Sequence, residues 1–145
     1  MANLFKEFYQ SIKWIFITIF PFMERKYDVY LAGPMRGFAE SNFPAFRLYA
    51  GKLREAGYRV WNPAENEDSN MTYEQCMRLD LDAVVNKCSS VVLLPGETWK
   101  NSVGASAEVT AANVCGKSVY QIVDTKNGGI SFRKLEKKSV KPYID

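Results

Sequence analysis

Histidine is absent from the 145 residues, and its absence removes much of ordinary enzyme chemistry. No Ser-His-Asp triad, imidazole general acid or imidazole-ligated zinc site can be built. Cysteine is scarce: Cys76, Cys88 and Cys115 are odd in number and widely spaced, with no CxxC pair. Neither a zinc knuckle nor a thioredoxin-type motif is therefore available, and free thiols in a cytoplasmic protein are the expectation. The chain also lacks GxGxxG and the Lys-Ser/Thr of a P-loop, which argues against a dinucleotide or triphosphate cradle.

Strong charge of one sign is missing too, the net charge being only +3. The basic residues Arg133, Lys134, Lys137, Lys138 and Lys141 are interrupted by Glu136 and read as a solvated tail, so no nucleic acid polymer is expected as a partner. The one strongly apolar run, Trp14 to Met23, is ten residues long and contains Pro21. A membrane-spanning helix needs about 20 residues. No A-x-A cleavage site follows, so a secretory signal is not expected either. Residues 1–26 are read as an apolar arm packing on the core or on another subunit, or as an extension upstream of Met23, ahead of membrane anchorage. Whatever chemistry occurs must use carboxylates, hydroxyls, amides, Arg and Lys.

What is present from residue 27 to 145 is a regular alternation of strand and helix signals. Asp28–Ala32 is a short apolar run closed by Gly33-Pro34; Tyr58–Trp61, Ser90–Leu94 and Ser118–Val123 are three more. Between them, Asn42 is placed to cap a helix with Pro44 in its first turn. Thr72 and Gln75 have capping-box spacing ahead of a helix reaching about Asn86, and an alanine-rich helix ends at Gly116. Helices between strands imply βαβ crossovers, hence an α/β domain with a mostly parallel sheet of four to five strands and helices on both faces. Ligands of such sheets sit beyond the carboxyl ends of the strands.

Two acids break the pattern. Cys76, Asp80 and Val84 recur at four-residue spacing beside Met77, Leu81 and Val85, so Asp80 falls in an apolar stripe and Asp82 lies roughly opposite. A carboxylate there is costly unless paired or facing a polar cavity, the plain alternative being a helix-edge acid bonded to a loop or to Arg78. Glu108 stands about one turn into the alanine-rich helix, with small residues, Gly104 and Ala112, one turn to either side. Alone it reads as a surface glutamate answering the helix dipole; together with Asp80 it suits glycosyl chemistry, which uses paired carboxylates. The loop Gly33-Pro34-Met35-Arg36-Gly37 projects an arginine suited to one phosphate or carboxylate. Tyr30 shares a strand face with Ala32.

Taken together, Tyr30-Leu-Ala-Gly-Pro-Met-Arg-Gly37, Asp80-Leu-Asp-Ala-Val84 and Ser102-x-Gly-Ala-x-x-Glu108 resemble the nucleoside 2-deoxyribosyltransferase superfamily, over about residues 27 to 123. The resemblance implies a flavodoxin-like three-layer fold, a homodimer or larger homo-oligomer, and no metal or organic cofactor. It casts Glu108 as nucleophile, Asp80 as the acid that engages the base, and Tyr30 as the tyrosine beside the nucleophile. Gly33, Pro34, Met35, Arg36, Gly37, Ser102 and Gly104 become the substrate-binding set. Six residues before the nucleophile, the transferases typically carry aspartate, whereas the 2′-deoxynucleoside 5′-phosphate N-hydrolases carry a serine that receives phosphate. Ser102 and Arg36 match the hydrolases, so the implied activity is cleavage of a (deoxy)nucleoside 5′-monophosphate. The alternatives are base exchange between deoxynucleosides and a nucleotide-sensing domain without turnover. The stretch between Trp61 and Thr72 is longer than in either pattern.

Overall fold

The computed structural model describes residues 4, 6–8, 10 and 26–137. The apolar run from Trp14 to Met23 and the basic tail beyond residue 137 lie outside the described residues, as do most of the expectations for residues 1–26. Among the described residues no helix is long and apolar enough to cross a membrane.

Five strands form one sheet in the order β2-β1-β3-β4-β5: β1 is Tyr27–Ala32, β2 Val60–Trp61, β3 Cys88–Leu93, β4 Val119–Asp124 and β5 Ile130–Lys134. The first four are parallel, and β5 runs antiparallel to β4 at the edge. The helices are α1 (Phe43–Glu55), the single turn α2 (Pro63–Asn66), α3 (Tyr73–Asp82) and α4 (Val103–Val114). This is the flavodoxin-like order, whose connections leave the central strands toward opposite faces and open a crevice between them. Alternation along β1 divides the core. Val29 and Leu31 meet Phe46, Ala50 and Leu53 of α1, while Tyr30 and Ala32 face Val109 and Ala112 of α4.

Local chemistry explains where the elements start and stop. Thr72 Oγ1 accepts from Gln75 N–H and the Gln75 side chain accepts from Thr72 N–H, the full capping box at the start of α3. Ser102 Oγ accepts from Ala105 N–H at 3.3 Å and caps α4. Gly33 is needed for close approach: a Cβ there would lie 2.8 Å from Leu94 Cδ1.

Three expectations are corrected. Asn42 precedes α1 but is left-handed (φ 60°), and its amide does not cap the helix. It donates instead to the Pro34 carbonyl at 2.8 Å. The strand expected from Tyr58 begins only at Val60. Arg59 O takes the N–H groups of both Asp28 and Val29, and Arg59 N–H goes to the Asp28 carboxylate, so the ladder cannot start sooner. The helix expected to reach Asn86 is α-helical only to Asp82 and closes with a wider, π-type turn at Ala83–Lys87.

That turn is held by buried Lys117, whose ammonium donates to the carbonyls of Val84, Val85 and Cys88, the last two at 2.7 Å. Charge-assisted bonds at a buried site contribute about 1.5–3 kcal/mol each when they are removed singly. Lys117→Met should therefore lower the unfolding free energy by about 2–4 kcal/mol in urea titration. An unchanged midpoint would mean that the ammonium does not hold the turn.

Candidate active site

The site is built where β1 and β3 end, at the crevice between the connections that leave for opposite faces. A cleft of about 180 Å³ is lined there by Gly33, Met35 and Arg36 after β1, by Glu67 and Met71 between α2 and α3, and by Asp80 of α3 and Glu108 of α4. Of the residues singled out in the sequence, Gly33, Met35, Arg36, Asp80, Ser102, Gly104 and Glu108 all reach this one cleft. Pro34 and Gly37 do not line it. Pro34 is buried with its carbonyl engaged by Asn42, and Gly37 turns the chain at φ 85°. Of the two small neighbours of Glu108, only Gly104 faces the cleft; Ala112 packs in the core.

Tyr30 is fully buried beneath the cleft. Its phenol donates to Glu108 Oε1 at 2.8 Å, so the sheet holds the α4 carboxylate directly. Glu108 is 6 % exposed and Asp80 4 %, which makes both acids interior groups. Asp82, expected on the opposite side, is a surface residue bonded to Asn86 and paired with Lys87. Arg78 pairs with Glu74 and not with Asp80.

Burial dominates the electrostatics. It pushes the Glu108 carboxyl well above the usual carboxylate range, and the Asp80 charge adds to this while the Tyr30 hydrogen bond opposes it. Asp80 is pushed up to about 8, first by burial and then by the Glu67 carboxyl beside it. The Tyr30 phenol is driven far upward by burial, then by Glu108 and Asp80, and so stays a neutral donor. Asp80 Oδ1 is buried without a hydrogen-bond partner.

The cleft also carries groups that suit an anion. The Arg36 guanidinium stacks on the Tyr73 ring, 3.8 Å from its centre. Ser102 Oγ accepts from Ala105 N–H, which leaves its own proton available beside the positive N-terminal end of α4. Glu67, Met71 and Tyr73 were not singled out in the sequence. Glu67 and Met71 sit in the aperiodic stretch whose extra length was the only signal, and Tyr73 is the first residue of an amphipathic helix, where it passes for ordinary packing. Among the described residues, no cluster of His, Cys, Asp or Glu has a geometry to hold a metal ion.

The raised acidity constant of Asp80 has a stability consequence. The folded state keeps this proton after the unfolded chain has lost it near 3.8, so the contribution is full below that value and fades as pH rises through about 8. Asp80→Asn should raise the thermal midpoint at pH 8, by up to about a few kcal/mol of stability, and flatten the decline between pH 5 and 8. A variant no more stable than the wild type at pH 8 would contradict a strained carboxylate at this position.

Among solved structures, the chain is similar to the 2-deoxyribosyltransferase of the psychrotolerant bacterium Bacillus psychrosaccharolyticus. The likeness is 24% identity at a TM-score of 0.51, covering 65% of this chain and 70% of that one. It is a likeness of fold, and it bears out the flavodoxin-like architecture expected from the sequence. No curated protein matches the sequence. Residues 27–121 match the domain of unknown function DUF4406, and the chain belongs to that family.

Proposed function

We propose that the protein cleaves the N-glycosidic bond of a (deoxy)nucleoside 5′-monophosphate through a covalent ester on Glu108, releasing the free base. The observation that carries this reading is the convergence of Asp80 and Glu108, from separate helices, on one cleft, with Tyr30 bonded to Glu108 from below.

The chemistry follows from the environments of the two acids. Glu108, raised by burial, sheds its proton to solvent, with the Tyr30 hydrogen bond favouring the anion. It then attacks C1′ as the bond to the base nitrogen breaks, while an oxocarbenium-like charge develops on the sugar. Burial makes the carboxylate costly. The developing positive charge relieves that cost only in the transition state, and stabilisation confined to that state is what accelerates a reaction. Tyr30, donating at 2.8 Å, favours the ionised form of Glu108 and fixes the attacking oxygen. Asp80 is raised to about 8, so it holds a proton at neutral pH and passes it to the departing base, which then leaves neutral. Water next attacks the ester, giving its proton to the Asp80 carboxylate, and sugar phosphate and free Glu108 are restored.

Arg36 and Ser102 support a monophosphate as the handle. A guanidinium and a free hydroxyl at a helix N-terminus donate to phosphate oxygens, and holding that group fixes C1′ near the carboxylate. The neighbouring fold, a 2-deoxyribosyltransferase, favours a second reading in which a free base, in place of water, resolves the ester.

Incubation with a panel of nucleoside monophosphates, with and without an added free base, should release base and sugar phosphate. A new nucleoside with little sugar phosphate would select the transferase, and tight binding with no turnover would select a sensor. Glu108→Ala should reduce turnover by roughly 10³-fold or more while leaving the fold intact. Turnover should fall as pH rises through about 8, where Asp80 loses its proton. Arg36→Ala should lower kcat/KM for a monophosphate by about 10-fold or more and leave the matching nucleoside unaffected. Equal losses on both substrates would remove Arg36 from the phosphate.

A further inference from the structure

Arg54, Arg59, Arg78 and Arg133 each pair with a carboxylate: Glu65, Asp28, Glu74 and Glu97 in turn. Arg36, at the cleft, meets an aromatic face instead, its guanidinium carbon 3.8 Å from the centre of the Tyr73 ring. A ring quadrupole orients a cation without cancelling its charge, so that charge stays uncommitted for an incoming anion. Both partners are fixed from behind. Asn42 Nδ2 holds the Pro34 carbonyl in the loop that bears Arg36, and the Thr72–Gln75 capping box sets the turn that Tyr73 begins. Tyr73 reaches further than the stack requires. Its hydroxyl lies 3.8 Å from the point where a Cβ on Gly104 would stand, and among the described residues it has no hydrogen-bond partner. Gly104 is in the first turn of α4, two residues after Ser102, and Arg36, Tyr73, Ser102 and Gly104 all line the same cleft. The tip of the phenol therefore stands over bare backbone, between α3 and α4.

We propose that Tyr73 is a further ligand of the phosphate, its hydroxyl donating to the anion across Gly104 while its ring presents Arg36 to the same group. This rests on the monophosphate reading above and adds to it a residue that decides between nucleotide and nucleoside. A phenylalanine would supply the stack alone. The phenol adds a neutral donor, which can bond an anionic oxygen without bringing another charge out of water. Hydrogen bonds to a charged partner are the stronger class, so the hydroxyl contributes when a phosphate is present and little when a nucleoside takes its place. Gly104 has a matching part. A side chain there would stand beside the Tyr73 hydroxyl and the Met77 sulfur, 3.5 Å from the latter, and cover the approach that the bare backbone leaves to the ligand. Arg36 and Tyr73 come from segments far apart in the chain, and their stack makes one binding surface of them.

The test reads binding in the full chain carrying Glu108→Ala, so that no probe is consumed. Calorimetric titrations use 2′-deoxyadenosine and 2′-deoxycytidine 5′-monophosphates beside the two matching nucleosides. Tyr73→Phe, which keeps the ring and loses the donor, should weaken the monophosphate that the cleft accommodates about 10-fold and leave its nucleoside unchanged. Tyr73→Leu, which removes the ring as well, should weaken it about 30-fold or more. Thermal melts verify that each variant folds. Monophosphate affinity unchanged in Tyr73→Phe, a loss no larger in Tyr73→Leu, equal losses on nucleoside and monophosphate, or no preference for the monophosphate overturns the inference. Base release from monophosphates with Glu108 intact, at an efficiency that both Tyr73 variants leave unchanged, would keep the hydrolase reading and remove Tyr73 from it. Tyr73-dependent binding of monophosphates without base release from any of them would do the reverse.

Discussion

The hydrogen bond from Tyr30 to Glu108 joins the centre of the sheet to α4 at the place where this chain takes charge out of water. Two acids with almost no exposure, and a third beside them, repel one another and each resists desolvation, so the site is stable only if surrounding structure fixes it. Much of the architecture can be understood as that fixation. Parallel pairing on both sides of β1 sets the register of Tyr30 against Trp61 and Val91. Gly33 allows the end of β1 to lie close to Leu94, and Ser102 starts α4 where its helical rise brings Glu108 over the phenol.

The cleft then combines two kinds of group that a sugar phosphate bearing a base would use. Glu67, Asp80 and Glu108 line it together with Ser102, the first turn of α4 and Arg36, whose guanidinium stacks on Tyr73. The stretch between Trp61 and α3 adds to this lining. It contributes a one-turn helix, a tight turn in which Met71 N–H bonds Asp68 O at 2.9 Å, and the side chains of Glu67 and Met71. A segment that looks like added length in the sequence is a wall of the cleft in space.

How far the sequence foretells this depends on the range of the interaction. The buried strands, the capping box at Thr72 and the helix of Glu108 are encoded by neighbours within a few residues, and they stand where periodicity puts them. Asp80 was visible because a polar residue in an apolar stripe is a local contradiction. Glu67 carried no such mark: it lies outside any periodic element, and its meeting with Asp80 depends on a turn made by Asn62 and on where β2 stops. Asn42 misled for a related reason. Its residue type favours a helix cap, but the same amide and the same tolerance of a left-handed backbone also serve a loop tether, and only the folded chain shows the Pro34 carbonyl within reach.

That tether has a further meaning for the guanidinium it supports. Asn42 ties the backbone of the Gly33–Gly37 loop to the start of α1 at 2.8 Å, and Tyr73 holds the Arg36 head from the other side. The entropy of ordering this loop is therefore lost during folding and not at the moment a ligand arrives. An anion meets a preorganised arm, and its association at this wall keeps most of the electrostatic attraction that a freely sweeping arginine would forfeit to its own immobilisation.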